Sequence, residues 1–389
     1  MGQAILSRRH RRKCRGSVCR IAGSQRHTMT LRVVHCGTGV TGREALRAII
    51  EDPALELVGQ YVSTPEKVGK DSGELCGLPS TGVVATNDLD ALVEMKADCL
   101  CYAGNAVGRE LEAVAEMAKF LRAGTNVVTF AVVEISYPGA TPPEFREIIE
   151  SACESGGASL YATGSEPGAM SMNVPAALLS MSGEVTGYKE QQFTPDLAND
   201  YPLEAVLRDS MGFGKPDGFV PPRISDGTVE TRWTPEIHFI ADLLGIKLDG
   251  IRLEWETGAS PVDIVTTNVG TYPAGTICGY YWQLAGVVAD KPVVSIEYIA
   301  QITRDAKVPQ HWPRLPAGID GAIAYTVEGR PTYRALLMPD PMEDGITSGL
   351  PMTALAATNA IPAVVAARPG HLSPVDLPFY ATRRAGLQR

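Results

Sequence analysis

Along the first third of the chain, short apolar runs alternate with amphipathic stretches of helical period. Leu31-Arg-Val-Val-His35 reads as a strand, and Arg43 to Ile50 places Ala45, Leu46 and Ile49 on one helical face. Leu55 to Val62 and Val83 to Ala85 read as the next two strands, the second entering a helix capped near Asn87 or Asp88. Ala97 to Tyr102 is a fourth strand. Arg109 to Arg122 carries Leu111, Val114, Met117, Ala118 and Leu121 on one face and stops at Gly124. A fifth strand (Asn126 to Phe130), a helix (Pro142 to Glu154) and a sixth strand (Ser159 to Ala162) follow. Strands alternating with helices of this length form βαβ units around a parallel sheet. Right-handed crossovers then place ligands at the strands' carboxyl ends. The expectation is an α/β protein with a doubly wound, Rossmann-type nucleotide domain over residues 29–165.

Beyond residue 165 the period shortens to two. Tyr188 to Phe193, Ile251 to Trp255, Ile277 to Val288, Val293 to Ile302, and Ala322 to Met338 folded at Glu328-Gly-Arg330 read as strands with few helices between them. This predicts an α+β substrate and dimerisation domain over 166–345, built on a mixed or antiparallel sheet. Met352 to Arg368 is apolar and helical but interrupted by Pro362. Residues 346–389 are expected to return to the first domain.

Charge separates the leader from the body. Residues 1–28 hold eight of the 35 Lys and Arg and no acid, leaving 27 basic against 44 acidic residues, a net charge of about −17. So acidic a body is a poor ligand for a phosphate backbone, and no nucleic acid is expected. No run approaches the roughly 18–20 apolar residues that cross a bilayer. The leader lacks an apolar signal core; it reads as a disordered extension, with Met29 a natural start. None of the eight cysteines forms a CxxC pair, so no metal site is expected, and their apolar settings read as small core residues of a cytoplasmic protein.

The chemistry begins at Gly37-Thr38-Gly39-Val40-Thr41-Gly42-Arg43, a GxGxxG turn between the first strand and helix. In that context Gly37 permits the tight turn, Gly39 lets a pyrophosphate approach the backbone, and Gly42 allows close packing, with free helix N–H groups facing the phosphates. The end of the fourth strand, Tyr102-Ala103-Gly104, faces the same cofactor edge. After the second strand, Ser63 and Lys67 stand where an NAD site would offer an acid. They suit a 2′-phosphate, with Arg43 a second candidate, which favours NADPH over NADH with dual use open. Glu134, in the apolar run Thr129-Phe-Ala-Val-Val-Glu-Ile-Ser-Tyr-Pro138, is a candidate acid–base or iminium-stabilising carboxylate. The junction turn from Ala162 to Asn173 offers Met170, Met172 and Asn173 as walls of a small, mostly apolar pocket, or equally as packing at an interdomain hinge.

The segments GTGVTGR (37–43), STPEKVGKDSGE (63–74), TNVVTFAVVEISYP (125–138), TGSEPGAMSMNVP (163–175), MGFGKP (211–216) and TNAIPAVVAARPG (358–370) together resemble the native amine dehydrogenases and 2,4-diaminopentanoate dehydrogenases, relatives of dihydrodipicolinate reductase. The resemblance covers nearly all of the chain from Met29. It implies a homodimer that uses NAD(P)H, aminates a small ketone reductively with ammonia, and reverses as oxidative deamination. It places the catalytic glutamate at Glu134 and draws Asn359 into the cofactor set. The paired histidines of dihydrodipicolinate reductases are missing: His35, His238, His311 and His371 are all isolated. The alternatives are a diaminopentanoate or amino-acid dehydrogenase, and a reductase that acts without ammonia.

Overall fold

The computed structural model describes residues 30–200, 203–316, 318–319, 321–340 and 349–384. The basic leader lies outside the described residues. Strands β1 (Leu31–Cys36), β2 (Leu55–Tyr61), β3 (Ala85–Thr86), β4 (Cys99–Tyr102), β5 (Asn126–Thr129) and β6 (Ser159–Ala162) belong to one sheet of seven. Six further strands divide between a mixed sheet and its edges: β7 (Glu184–Thr194), β8 (Gly250–Ala259), β11 (Ile277–Val288), β12 (Lys291–Gln301), β13 (Ala322–Arg330) and β14 (Tyr333–Leu337). A small ribbon pairs β9 (Ile264–Val265) with β10 (Thr271–Tyr272), and β15 (Gly370–Leu372) closes the chain.

The first sheet runs in the order β15-β6-β5-β4-β1-β2-β3, and every neighbouring pair is parallel. A parallel sheet needs helices on both faces, so its central strands are apolar in both directions. Val34, Leu100, Val127 and Leu160 pack under the helices Glu110–Arg122 and Pro143–Gly156. Val33, Cys99, Cys101 and Val128 pack on the opposite face, against the helices Val40–Glu51 and Gly349–Val365. The six described cysteines are all free and buried.

The second sheet runs β14-β13-β7-β12-β11-β8, antiparallel except for the β7–β12 pair. The helix Thr228–Leu243 covers one of its faces with Val229, Trp233, Ile237 and Ile240, against Trp282, Leu284 and Ile296. Among the described residues no helix is long and apolar enough to cross a membrane.

Two local expectations need correction and one holds. The first helix starts at Val40, inside the glycine turn, rather than at Arg43. The β13–β14 hairpin reverses over residues 328–332, its last pair being Val327 with Tyr333, which includes the expected turn at Glu328-Gly-Arg330. The last helix runs through Pro362 to Val365. Pro362 lies in its final turn and removes one backbone bond, while Ala360, Ile361 and Val364 are fully buried beside it. Burial of that size, about 1.5–3 kcal/mol for each large aliphatic side chain, outweighs the missing bond.

Candidate active site

The nucleotide end is built from backbone. Gly37 has φ +99°, and a Cβ there would lie 2.3 Å from the Ala103 carbonyl oxygen, so β1 and β4 converge only over glycine. A Cβ on Gly42 would lie 2.7 Å from the Gly37 carbonyl oxygen. Around Gly39, by contrast, a Cβ would meet nothing within 4 Å. Gly39 is also the N-cap of the helix and provides no side-chain cap, so the first N–H groups face that open space. An opening of this kind at a helix N-terminus can hold a diphosphate. Lys67 reaches the same turn, its Nζ donating to the Thr38 carbonyl (3.0 Å) and Thr38 Oγ1 (2.9 Å).

Ser63 and Arg43 are exposed beside this turn, and Val40 is half-exposed on its outer side. The Tyr102 side chain is not free for a ligand: its hydroxyl donates to Glu116 at 2.5 Å, where Arg109 also binds. Its backbone, with Ala103 and Gly104, continues to the sheet's carboxyl edge, Ala103 donating to the Cys36 carbonyl at 2.7 Å. Asn359 lies on the last helix, its carbonyl held by Arg383 Nη1 at 3.2 Å.

A cavity of about 190 Å³ opens where the carboxyl ends of β5 and β6 meet the glycine turn. Thr41 borders it from the turn, Thr129, Phe130, Val132, Val133 and Ser136 from the end of β5 and the segment after it, and Ala162, Thr163, Gly164, Glu166 and Pro167 from the end of β6 and the segment after it. Arg232 on the Thr228–Leu243 helix, and Leu350 and Thr353 on the last helix, complete the wall. The elements that build the cavity thus come from widely separated parts of the chain.

Glu134 lies in a one-turn 3-10 helix, Val133–Ile135, between the wall residues Val133 and Ser136. It is half-buried, and burial raises its carboxyl pKa, against the lowering effects of nearby backbone N–H groups and Arg232. The turn is pinned from β15, where His371 Nε2 donates to the Ile135 carbonyl at 2.8 Å. His371 is itself held neutral by burial, its pKa lowered to about 4.

At the junction turn the two methionines follow the packing alternative and not the pocket one. Met170 and Met172 are 7% and 1% exposed and lie in the core beneath the second sheet rather than in the cavity wall. Flexible thioethers fill core space readily, and the turn's cavity edge falls to Thr163 and Glu166 instead. Asn173 is half-buried at the end of the same segment and does not border the cavity. The wall is consequently more polar than the methionines suggested.

Sequence reasoning missed Glu166, Arg232, and two glutamates behind Glu166. One carboxylate oxygen from each of Glu166, Glu190 and Glu236 lies within 4.8 Å of the others. Glu190 comes from β7 and Glu236 from the Thr228–Leu243 helix, and both are buried. Gln192 Nε2 donates to Glu166 and, at 3.0 Å, to Glu190 Oε1; Tyr188 donates to Glu190 Oε2 at 3.1 Å. Trp233 Nε1 donates to Glu166 Oε1 at 2.5 Å and Ser171 to Glu236 Oε1 at 2.7 Å. Burial raises all three pKa values, that of Glu190 to about 8, with mutual repulsion adding to the rise at Glu190 and Glu236.

Comparison with known proteins narrows the chemistry. Residues 31–103 match the model of the dihydrodipicolinate reductase N-terminus, and residues 218–387 match that of the 2,4-diaminopentanoate dehydrogenase C-terminal domain. An amine dehydrogenase of Streptomyces virginiae is 31% identical over 345 residues, covering 88% of this chain and 95% of that protein. A 4-hydroxy-tetrahydrodipicolinate reductase of Trichormus variabilis is 42% identical over only 62 residues, 16% of this chain and 22% of that protein. Among solved structures, the amine dehydrogenase of Mycobacterium smegmatis superposes with a TM-score of 0.67 at 21% identity, over 91% of this chain and 97% of that one. A probable dehydrogenase of Thermotoga maritima shares the fold at a TM-score of 0.54 and 11% identity, over 89% and 92% of the two chains.

Proposed function

The chain belongs to the amine dehydrogenase family of nicotinamide-dependent oxidoreductases, and from that premise we propose that it aminates a small ketone with ammonia, reversibly, at Glu134. The observation that carries this reading is a half-buried carboxylate of raised pKa, in the turn after β5, between two residues of a cavity that also touches the glycine turn. When bound, the nicotinamide cofactor supplies or accepts hydride. The protein's part is positional and protonic. The glycine turn and the N-terminus of the Val40–Glu51 helix hold the diphosphate, with Thr41 nearest the cavity. Glu134 accepts a proton from the attacking nitrogen and stabilises the positive charge that develops on it. Val132, Val133 and Leu350 limit the water that reaches the reacting carbon.

NADPH is the preferred nucleotide in this reading. Ser63 is exposed after β2 where an acid would repel a 2′-phosphate, and the Lys67 ammonium stands on the turn beside it. A homodimer fits the exposure of Trp255, Leu336 and Met338 on the second sheet and after its β14 edge.

The test is a panel of small ketones with ammonium chloride, followed at the nicotinamide absorbance with NADPH and NADH. Ammonia-dependent oxidation of the nucleotide is expected. Glu134→Gln should leave nucleotide affinity unchanged and lower kcat by roughly 10²–10⁴-fold. Turnover near wild type in a well-folded Glu134→Gln protein would overturn the role assigned to this residue.

A further inference from the structure

We propose that Tyr137 is a positioning residue for the reaction: it ties the turn that carries Glu134 to the helix covering the second sheet, so that the aim of the carboxylate depends on how the two sheets are set against each other. The inference rests on the Glu134 reading and deepens it. It begins where the chain passes from one core to the other. Ile135 is fully buried in the core of the first sheet, and its carbonyl is held by His371 Nε2 at 2.8 Å. Two residues later, the Tyr137 ring packs against the core of the second sheet. Glu134 stands directly beside this crossing.

The Tyr137 contact has a polar and an apolar part. Its hydroxyl donates to Asp242 Oδ2 at 2.6 Å, a short bond of the kind carboxylates make. Burial raises the tyrosine's pKa, and Asp242 and then Asp376 add to the rise, so the phenol keeps the proton that the bond needs. The ring meets Phe239 edge to face at 5.5 Å, and Phe239 is 1% exposed. Gly139 leaves room for this: a Cβ there would lie 2.4 Å from Tyr137 Cε1 and 3.1 Å from Asp242 Oδ2. The Tyr137 backbone is held from the other side. Thr141 Oγ1 donates to its carbonyl at 3.0 Å, and Arg146 Nη2 donates to the Thr141 carbonyl at 3.0 Å. A backbone fixed to one sheet's helices and a side chain fixed to the other's make a latch.

The helix at the far end of this latch, Thr228–Leu243, also shapes the cavity. Arg232 borders it, and Trp233 Nε1 donates to Glu166 of its wall. One rigid element thus sets part of the wall and, through Tyr137, the turn of Glu134. Asp242 and Phe239 do not border the cavity, so their influence on the carboxylate passes through Tyr137. Misplacing a reacting group by an ångström costs up to about 10²-fold in rate.

The experiment uses the full-length protein with NADPH, butanone and ammonium chloride. Tyr137→Phe keeps the ring and loses the hydroxyl, and Asp242→Ala loses the acceptor. Each should lower kcat by roughly 10-fold, as for one charged hydrogen bond, with the KM for butanone and the affinity for NADPH little changed. The two substitutions together should be no worse than either alone. Asp242→Asn, whose amide oxygen still accepts from the phenol, should recover most of the loss. A pH profile at constant free ammonia adds a second readout. Burial raises the Glu134 pKa, with Glu110 adding to the rise and Arg232 opposing it. A loosened turn admits water and lets that pKa fall, so the acid limb of kcat/KM should move to lower pH in Tyr137→Phe. Hydrogen exchange of amides 133–137, which needs no turnover, should quicken in the same variant.

Wild-type kcat in Tyr137→Phe, additive losses in the double variant, or Asp242→Asn no better than Asp242→Ala would overturn the proposal. So would unchanged exchange, or a lowered melting temperature with an unmoved acid limb. Failure of the amine dehydrogenase reading looks different: the wild type consumes no butanone with ammonia, while exchange in the turn still quickens in Tyr137→Phe.

Discussion

At the scale of single residues, the cavity depends on carboxyl groups kept where water cannot fully solvate them. Glu190 shows what this costs. Its folded pKa of about 8 stands above the ordinary value of 4.5, so the folded protein keeps a proton that the unfolded chain releases. Stability from this group is therefore fully present below about pH 4.5 and declines as pH rises toward 8. Gln does not titrate. The melting temperature of Glu190→Gln relative to wild type should accordingly climb between pH 5 and pH 8, with Glu166, Glu236, Tyr188 and Tyr325 still facing the site in both proteins. A difference that is flat with pH would show that Glu190 is ionised throughout. Glu134, the proposed catalytic group, stood out in the sequence because an acid in an apolar run is an anomaly in a simple pattern. Glu166, Glu190 and Glu236 did not. One sits in a proline-containing turn, one in an alternating strand among glutamines, and one on a helix, and only tertiary folding brings them together.

At the scale of elements, the glycine turn separates two duties that a sequence motif runs together. Gly37 is needed by the protein, since any Cβ would strike the Ala103 carbonyl and the positive φ excludes other residues. Gly39 has an open Cβ direction, so on the proposed reading it is the ligand and not the protein that requires it. Gly37→Ala should thus lower stability by about 1–3 kcal/mol and weaken nucleotide binding as a consequence. Gly39→Ala should melt like wild type but bind nucleotide much more weakly, and calorimetry beside a melting curve distinguishes the two. If both variants melt alike, the close approach of β1 to β4 is not what fixes the first glycine. The strands and long helices of the parallel sheet were readable from periodicity, because residues buried on both faces leave continuous apolar runs. The ends of elements were less readable. The passage of the last helix through Pro362 is decided by the core that surrounds it.

At the scale of the molecule, the polypeptide leaves the first sheet after β6, builds the second, and comes back. The returning segment ties itself down firmly: Arg383 binds Asp52 at the end of the first helix, Arg384 binds Glu51, and β15 joins the sheet edge beside β6. It also carries His371, whose ring N–H holds the turn that contains Glu134. His371→Ala should lower kcat while sparing nucleotide affinity, because it loosens the turn and leaves the glycine cradle untouched. Unaltered kcat in a protein that melts lower would reduce His371 to a structural role. That the chain must return could be suspected from one apolar helix near its end. What the return accomplishes could not, since the Ile135 carbonyl and His371 are partners across more than two hundred residues. The order of synthesis follows from this path. A ribosome will have produced β1 to β6, the cradle and all three clustered glutamates well before Leu350, Thr353 and His371 emerge. Until the last forty or so residues are made, the sequence lacks both Leu350 and Thr353 of the cavity wall and the helix that packs against Val40–Glu51.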